Sequence, residues 1–327
     1  MVLKRQKVLF FSTFSSPFID IDRRIIAQFA RVRSITSRGL PVFFALFWQT
    51  LFADAVVSWF VSTYGAVMVL AARVFRKKSI VVVGGADVTV DQEMGYGLLT
   101  SRWKKRLIRY ALRHASAVLP VSQHLTERAK TVGEYDGNNI RQVPPGLDPD
   151  LWQPAGRKEA VILTVALCRT PERIRIKGID ILLEAARLIP QTTFRIIGVA
   201  PDVLIRMGIP APANVTILPP SPQSELIAYY RKASVYCQPS RIESFSFALA
   251  QGMLCQCVPV ATDVGGMPEV MGKTGFLVPR ENPRALSEAL ARALQENGRA
   301  GEAARGRIQT RFSIDRRSEE LEQLISG

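Results

Sequence analysis

The chain has 327 residues, of which 47% are hydrophobic and 22% charged, so it is long enough for two domains and too apolar to be disordered. Its formal charge of +15 lies mainly in residues 1–150 and favours an anionic partner, such as a membrane or a phosphorylated substrate. Nucleic acid is disfavoured, because no aromatic RNA-binding motif or helix-turn-helix pattern accompanies the charge. The 4 cysteines form no CxxC pair and are distant from both histidines, which favours buried free thiols over a zinc site.

Strand-like and helix-like segments alternate along the first half, which predicts a parallel sheet with helices on both faces. A helix is expected to begin near Asp20, and others to cover about Thr63–Phe75 and Ser101–His114. The predicted strands are Lys7–Ser12, Ala55–Phe60, Ser79–Val83, Ala117–Val121 and Arg141–Val143.

Two features of the first half raise the question of a membrane. Residues 55–72 carry no charge, but the polar residues from Ser58 to Gly65 interrupt them and favour a strand followed by a helix over a membrane span. The apolar run Val8–Phe11 is too short for a signal peptide. The expected location is therefore the cytoplasm, with peripheral binding to the inner face of a membrane as a further expectation.

Two other segments fit either a membrane-facing surface or an ordinary part of the fold. Leu40–Ala53 is uncharged and aromatic, so it is either a core helix behind the sheet or a surface for a membrane or an acceptor. Arg102, Arg106, Arg109 and Arg113 share one helix face, which suits either an anionic bilayer or solvent.

The proline-rich segment Pro144–Pro154 is unsuited to a helix interior or a central strand and predicts a linker. Residues 1–150 are expected to form a first domain, joined by a C-terminal helix over 312–327, and residues 151–311 a second. The second half repeats the alternation of elements. Its predicted strands are Ala160–Ala166, Phe194–Ile197, Asn214–Leu218, Val235–Gln238 and Val258–Ala261, and its predicted helices begin near Ile179, Ser224, Pro268 and Pro283.

The residues that could carry chemistry follow predicted strands of the second half. Glu243 lies in a strand–turn–helix segment, where a carboxylate either accepts hydrogen bonds from sugar hydroxyls or helps to cap the helix. Arg169 follows a strand and Lys177 precedes a helix, with a loop expected between them. Two such cations can hold a diphosphate and stabilise its charge as it leaves. Arg173 and Arg175, between them, are expected to be solvated.

Taken in order, these motifs resemble family 4 glycosyltransferases, which are retaining enzymes with two Rossmann-like domains. The resemblance covers about Ala160–Pro279, and the first 115 residues match only loosely. The matching pieces are Arg169 with Lys177-Gly178-Ile179-Asp180, Ile197-Gly198, Pro239-Ser240 leading to Glu243-Ser244-Phe245-Ser246, Pro259-Val260-Ala261-Thr262, Gly265-Gly266-Met267-Pro268-Glu269 and Thr274-Gly275-Phe276-Leu277-Val278.

The resemblance implies an α/β protein of the GT-B type, with two doubly wound domains facing each other across a cleft. It implies a nucleotide-diphosphate sugar as co-substrate, with no cofactor and no bound metal. Arg169 and Lys177 would hold the diphosphate, and Glu243 would contact the donor sugar. The residues expected to line the donor pocket are Gly198, Ser244, Phe245, Ser246, Phe247 and Gln251.

The chain departs from the family pattern at three places. Gln251 stands where the family has a second glutamate, the glycine-rich loop after the first strand is replaced by Ser12–Ser16, and a cleft histidine is missing. The first domain is expected to bind the acceptor, for which a lipid-linked compound and a polysaccharide are the candidates. Because of these departures, a non-catalytic sugar-nucleotide-binding subunit of a glycosylation complex remains the alternative to an enzyme. The acceptor-side candidates are Ser15, Ser16, Gly85 and Asp87.

Overall fold

The computed structural model describes residues 5–99, 101–296 and 298–327, and the chain divides into two compact units. Unit 1 comprises Met1–Gly146 together with Ile314–Gly327, and unit 2 comprises Leu147–Ser313. Each unit is built on its own parallel sheet with helices between successive strands. The α/β class with two doubly wound sheets is therefore confirmed.

Unit 1 contains a five-stranded parallel sheet in the order β2-β1-β3-β4-β5. Its strands are β1 (Lys7–Ser12), β2 (Arg31–Thr36), β3 (Ala55–Trp59), β4 (Lys78–Val83) and β5 (Ala117–Pro120). Its helices are α1 (Pro17–Phe29), α2 (Leu40–Leu51), α3 (Thr63–Val74), α4 (Arg102–His114), α5 (Gln123–Gly133) and the C-terminal α14 (Ile314–Ser326).

The core of unit 1 forms because its central strands are almost continuously apolar, as expected for a sheet covered on both faces. Helices α2 and α3 pack on β1 and β3 through residues such as Leu46 and Met68, and α3 also packs against α4. On α1, the carboxylate of Asp22 accepts hydrogen bonds from Arg317 of α14, at 2.9 and 2.6 Å, and from the Trp59 indole. This buried ion pair fastens the returning C-terminal helix to unit 1.

Unit 2 contains a six-stranded parallel sheet in the order β11-β10-β9-β6-β7-β8. Its strands are β6 (Glu159–Cys168), β7 (Thr193–Val199), β8 (Val215–Leu218), β9 (Ala233–Gln238), β10 (Val258–Thr262) and β11 (Phe276–Val278). Its helices are α6 (Pro171–Lys177), α7 (Ile179–Leu188), α8 (Pro201–Arg206), α9 (Gln223–Lys232), α10 (Phe247–Leu254), α11 (Met267–Met271), α12 (Pro283–Gln295) and α13 (Gly298–Arg311).

Several predicted elements need correction. Arg141–Val143 is not a strand; it runs beside β5 through an isolated bridge at Ile140 and a few backbone hydrogen bonds. The segment expected as a loop between Arg169 and Lys177 is the helix α6, which Thr170 caps by accepting a hydrogen bond from the Arg173 N–H. The possible membrane span at residues 55–72 is β3 followed by α3, and no helix in the described ranges is both long and apolar enough to cross a bilayer.

Two of the arginines on the basic face of α4 form hydrogen bonds within unit 1. Arg109 donates to the Val132 carbonyl at 3.4 Å, and Arg113 donates to the Gly133 and Glu134 carbonyls at 2.6 Å each. These bonds satisfy carbonyl groups at the C-terminal end of α5, where a helix leaves them unpaired. The exposed cations of α4 are Arg102, Lys105, Arg106 and Arg113, of which Arg113 is the one held by these carbonyl groups.

The four cysteines, Cys168, Cys237, Cys255 and Cys257, are free and buried, as the sequence predicts. Burial raises the pKa of the Cys168 thiol to about 11 and that of Cys255 to about 12. These thiols are therefore protonated and poorly nucleophilic at neutral pH.

Candidate functional site

The strand order of unit 2 places the candidate site at the switch point of its sheet. Strands β7 and β8 extend to one side of the β6–β9 pair, and β10 and β11 extend to the other. The connections that follow β6 and β9 therefore lead in opposite directions along the sheet. Ligands of open α/β sheets bind beside such a point, at the carboxyl ends of the strands. Arg169 directly follows β6, and the Pro239–Ser246 loop with Glu243 follows β9.

A buried polar network fixes the start of the loop after β9. The Gln238 side chain accepts hydrogen bonds from the hydroxyls of Tyr236 at 3.0 Å and Ser246 at 3.1 Å, and donates to Ser240 at 2.9 Å. The Thr262 hydroxyl at the end of β10 donates to the Ser240 carbonyl at 2.5 Å. Because each of these buried groups is paired, the network holds the loop in one conformation.

Lys177 and Glu243 form an ion pair in this loop region, with 2.6 Å between Nζ and Oε2. Both side chains are largely buried, at 17% and 12% exposure, so the pair is more than a solvated surface contact. The structure thus brings together two of the three residues to which the sequence assigns chemistry. Lys177 ends α6, and Glu243 lies just before α10.

Two glycines with positive φ allow the neighbouring segments to close on this loop. A Cβ atom on Gly178 (φ +66) would lie 1.8 Å from the Pro239 carbonyl oxygen, and one on Gly265 (φ +55) would lie 1.8 Å from that of Glu243. Any side chain at either position would therefore push the loop away. The Gly178 and Gly265-Gly266 motifs identified in the sequence thus have a direct packing reason.

Arg241 organises the same loop, and the sequence analysis gave it no role. Its guanidinium binds the Asp180 carboxylate at 2.7 and 3.0 Å, Glu281 at 2.9 Å and the Arg175 carbonyl at 2.7 Å. Burial opposes the charge of Arg241, and the two carboxylates more than offset this, so its pKa is raised. The sequence did contain a signal for this ion pair. Arg241 lies inside the Pro239–Glu243 motif, and its partner Asp180 ends the motif Lys177-Gly178-Ile179-Asp180.

Arg169 lies at the strand end as expected and is exposed. Its side chain makes no hydrogen bond or ion pair with the residues that the structure describes, so its charge is available to an anion. Arg173 and Arg175 lie on α6, where Arg173 is half-buried and Arg175 is exposed. The predicted solvated state therefore fits Arg175 better than Arg173.

The remaining residues of the predicted donor pocket have local structural functions. Gly198 has φ +99, and a Cβ atom there would lie 2.6 Å from the Ala166 carbonyl, so glycine permits close contact between β7 and β6. The Ser246 hydroxyl caps α10 by accepting from the Leu249 N–H at 3.2 Å. Ser244 is buried, and the rings of Phe245 and Phe247 contact each other edge to face at 5.2 Å.

Gln251 lies half-buried on α10, about one turn after the helix begins at Phe247. Its Oε1 atom accepts a hydrogen bond from the buried Tyr230 hydroxyl at 3.4 Å. Burial raises the pKa of Tyr230 well above its ordinary value, so this hydroxyl keeps its proton and remains a donor. The amide oxygen of Gln251 is thus directed at Tyr230.

The acceptor-side candidates lie at the strand ends of unit 1. Asp87 is fully buried and accepts backbone hydrogen bonds from Val61 at 2.9 Å and Gly85 at 2.7 Å. Burial raises its pKa, although these N–H groups counteract the effect. Asp87 therefore ties the ends of β3 and β4 together and has little freedom to contact a ligand. Ser15 donates to Asp20 at 2.8 Å, and Ser16 is the N-cap residue of α1.

Comparisons with known proteins find glycosyltransferases. Residues 160–296 match the family model of the group 1 glycosyl transferases. The D-inositol 3-phosphate glycosyltransferase of Mycolicibacterium gilvum is 30% identical over 196 residues, which cover 54% of this chain and 44% of that protein. The corresponding protein of Mycobacterium leprae (strain TN) is 31% identical over 182 residues, which cover 50% and 42%. The chain thus spans less than half the length of these relatives.

Solved structures extend the likeness to the fold of nearly the whole chain. HepE of Anabaena, solved in complex with UDP, has a TM-score of 0.79 at 17% identity and covers 99% of this chain and 100% of its own. Sucrose-phosphate synthase of Thermosynechococcus elongatus has a TM-score of 0.77 at 17% identity, with 98% of both chains covered. The resemblance to glycosyltransferases that the motifs indicate is therefore confirmed, in sequence over residues 160–296 and elsewhere in fold.

Proposed function

We propose that the chain is a metal-independent, retaining glycosyltransferase that moves a sugar from a nucleotide-diphosphate sugar to an acceptor bound by unit 1. The observation that carries the proposal is the Lys177–Glu243 ion pair at the switch point of unit 2, beside the exposed Arg169. It joins a cation suited to a diphosphate with a carboxylate suited to sugar hydroxyls. Because HepE was solved with UDP, UDP-sugars are the first donors to test.

In the proposed reaction, the bond between the anomeric carbon and the diphosphate oxygen breaks, and its electron pair stays on the diphosphate. Arg169 and Lys177 stabilise that developing charge. An acceptor hydroxyl oxygen bonds to the anomeric carbon from the same face, and its proton passes to the departing phosphate oxygen. Glu243 accepts hydrogen bonds from the sugar hydroxyls, while its contact with Lys177 couples the position of the sugar to that of the phosphate.

The experiment measures sugar transfer and donor hydrolysis with a panel of UDP-sugars, and the anomeric configuration of the product by NMR. Glu243→Gln should lower kcat/KM about 100-fold, because the carboxylate that positions the sugar is lost. The affinity for UDP should be kept or improved, since Lys177 retains its charge and loses its acidic partner. Glu159→Gln, which changes an exposed carboxylate paired with Lys232, is the matched control.

A Glu243→Gln variant as active as the wild type would remove Glu243 from the mechanism. Inverted product would contradict retention, and loss of activity with EDTA that only metal restores would contradict metal independence. A wild-type chain that binds UDP and turns over no donor would instead establish the alternative, a non-catalytic sugar-nucleotide-binding subunit.

We further propose that unit 1 binds peripherally to the inner face of an anionic membrane. Helix α2 buries one face in the core and exposes large apolar side chains at every fourth position. These are Leu40, Phe44, Trp48 and the C-cap residue Phe52, with 71%, 64%, 60% and 70% exposure. Helices α3 and α4, next in the same layer, expose Val74 and Trp103, and cations accompany these apolar residues. The exposed cations include Arg73, Arg76, Arg102, Lys105 and Arg106.

Such a surface matches a bilayer, since apolar and aromatic groups insert at the interface while cations attract anionic lipid headgroups.

The test is flotation of the purified chain with phosphatidylserine vesicles and with neutral phosphatidylcholine vesicles. Binding should require the anionic lipid and weaken with added salt. A Phe44→Ser/Trp48→Ser double variant should float poorly, and Ile205→Ser, which removes an apolar residue with 79% exposure on unit 2, should float normally. Equal flotation of both variants would refute this docking surface.

A further inference from the structure

Unit 1 has a cavity at its own switch point, lined by residues to which the sequence analysis gave no role. The switch point lies between β1 and β3 in the order β2-β1-β3-β4-β5. The cavity has a volume of about 330 Å³, within the range of small-ligand pockets. Its lining residues follow the carboxyl ends of β1, β2, β3 and β4 and are completed by α4 and the segment before it. They are Thr13, Phe14, Arg38, Phe60, Ser62, Thr63, Tyr64, Ala86, Leu98, Lys104 and Ile108.

The apolar wall of this unit 1 pocket depends on an unusual backbone conformation. Phe60 has φ +69, a left-handed conformation that a bulky residue adopts only when the surroundings enforce it. Its ring stacks on that of Phe14 at 5.5 Å and lies where a Cβ atom on Gly84 would be, 2.3 Å away. The glycine at position 84 thus makes room for an aromatic side chain at the pocket.

The pocket also contains two cations with no acidic neighbour in its lining. Arg38 donates from Nε to the Thr13 carbonyl at 3.1 Å, which holds the guanidinium beside β1. Lys104 lies over the Trp103 ring, 5.8 Å from its centroid. Neither side chain forms an ion pair with any residue of the described ranges, and none of the lining residues is acidic. An anion is therefore the missing electrostatic partner.

We propose that the unit 1 pocket binds the acceptor, and that the acceptor is a lipid phosphate, meaning a phosphate ester that joins an apolar chain to a group with the hydroxyl that receives the sugar. Arg38 and Lys104 contact the phosphate, and Phe14, Phe60 and Ile108 surround the first part of the chain. The acceptor role rests on the proposed function, whereas the binding does not. Two exposed apolar residues lie close to these cations in sequence: Leu40 comes two residues after Arg38, and Trp103 directly precedes Lys104, so a chain emerging from a bilayer can reach the pocket.

The first experiment measures the binding of decyl phosphate below its micelle concentration, with inorganic phosphate and decanol as separate probes. Decyl phosphate should bind at least about tenfold more tightly than either probe, because it alone uses the cations and the apolar wall together. Lys104→Gln should weaken its binding about tenfold, and Lys105→Gln, the matched exposed neighbour on α4, should leave it unchanged. UDP affinity, measured in parallel, should be the same in all three proteins.

The proposal is overturned if decyl phosphate binds no better than inorganic phosphate, or if Lys104→Gln and Lys105→Gln bind it equally. A second arm presents phytanyl phosphate in phosphatidylcholine vesicles. The wild type should float better with these vesicles than with phosphatidylserine vesicles of equal charge, and Lys104→Gln should lose that preference; binding of decyl phosphate without this preference would overturn the membrane lipid as the source. Failure of sugar transfer with intact decyl phosphate binding would contradict the proposed function and leave the lipid-phosphate pocket standing.

Discussion

The two units use the same sheet architecture but build their strand ends differently. In unit 2, the loop after β9 carries polar side chains that are largely buried and paired with one another, as in the Gln238 network and the Arg241–Asp180 pair, while Arg169 after β6 is exposed. In unit 1, the corresponding place holds an aromatic wall and two cations without acidic partners. The polar groups of unit 2 are therefore fixed before a ligand arrives, whereas unit 1 offers charge and apolar area for a ligand to complete.

This difference matches the two kinds of ligand that we propose. A nucleotide diphosphate presents the same hydrogen-bonding groups whichever sugar it carries, so a rigid polar loop can be built for it. An acceptor varies in shape, and apolar contacts are non-directional and tolerate that variation. The comparison predicts that changes in unit 2 affect nucleotide binding and changes in the unit 1 pocket affect acceptor binding, with little exchange between them.

The largest expected effect concerns the stability of unit 1. Arg317→Met should lower the free energy of unfolding by about 3–5 kcal/mol, because Asp22 would remain buried without its cation. Urea denaturation followed by tryptophan fluorescence measures this loss. Asp22→Asn/Arg317→Met should recover part of it, and Arg24→Met, at an exposed position of α1, is the control. An unchanged unfolding curve for Arg317→Met would show that α14 is held by other contacts.

A smaller effect is expected on nucleotide binding by unit 2. Arg169→Ala should weaken UDP binding by about 1.5–3 kcal/mol, the value of one charge-assisted contact. Lys177→Ala should cost more, since it also leaves the Glu243 carboxylate unpaired beside the phosphates. Arg173→Ala, on the same helix as Lys177, should be nearly silent. Calorimetric titration with UDP measures all three variants, and unchanged affinity in Arg169→Ala and Lys177→Ala would place the phosphate elsewhere.

The sequence predicted unit 2 better than unit 1 for a physical reason. Lys177, Glu243 and Gly265 lie in short motifs at strand ends, where polar and glycine residues stand out from apolar strands. The apolar pocket residues of unit 1 resemble core residues and are far apart in sequence; they are Phe14, Phe60, Leu98 and Ile108. A pocket built from such residues gives no local pattern in the sequence. The left-handed backbone of Phe60 gives no sequence signal either, since its surroundings impose it.

The missed and wrong elements have local causes. Strand β2 was not predicted because this edge strand, Arg31–Thr36, is mostly exposed and lacks an apolar run. Helix α6 was expected as a loop because its many cations suggested solvent, although Thr170-Pro171 is a recognisable helix start. Arg141–Val143 was predicted as a short strand, but its pairing with β5 is limited to scattered hydrogen bonds. Arg241 was overlooked because its partners, Asp180 and Glu281, are distant in sequence.

The smallest expected effect tests Gln251, where unit 2 departs most from the family pattern. Its amide oxygen faces the Tyr230 hydroxyl at 3.4 Å, a long hydrogen bond, so Gln251→Ala should change stability by no more than about 1 kcal/mol. Gln251→Glu supplies a stronger acceptor to the same hydroxyl and, if the side chain also reaches the ribose, should keep or improve UDP affinity. Titration of both variants with UDP and with inorganic diphosphate separates the two roles, because only UDP has a ribose. If Gln251→Ala weakens UDP and leaves diphosphate unchanged, Gln251 contacts the nucleoside; if neither titration changes, its role is confined to Tyr230 and the ribose is bound elsewhere in unit 2.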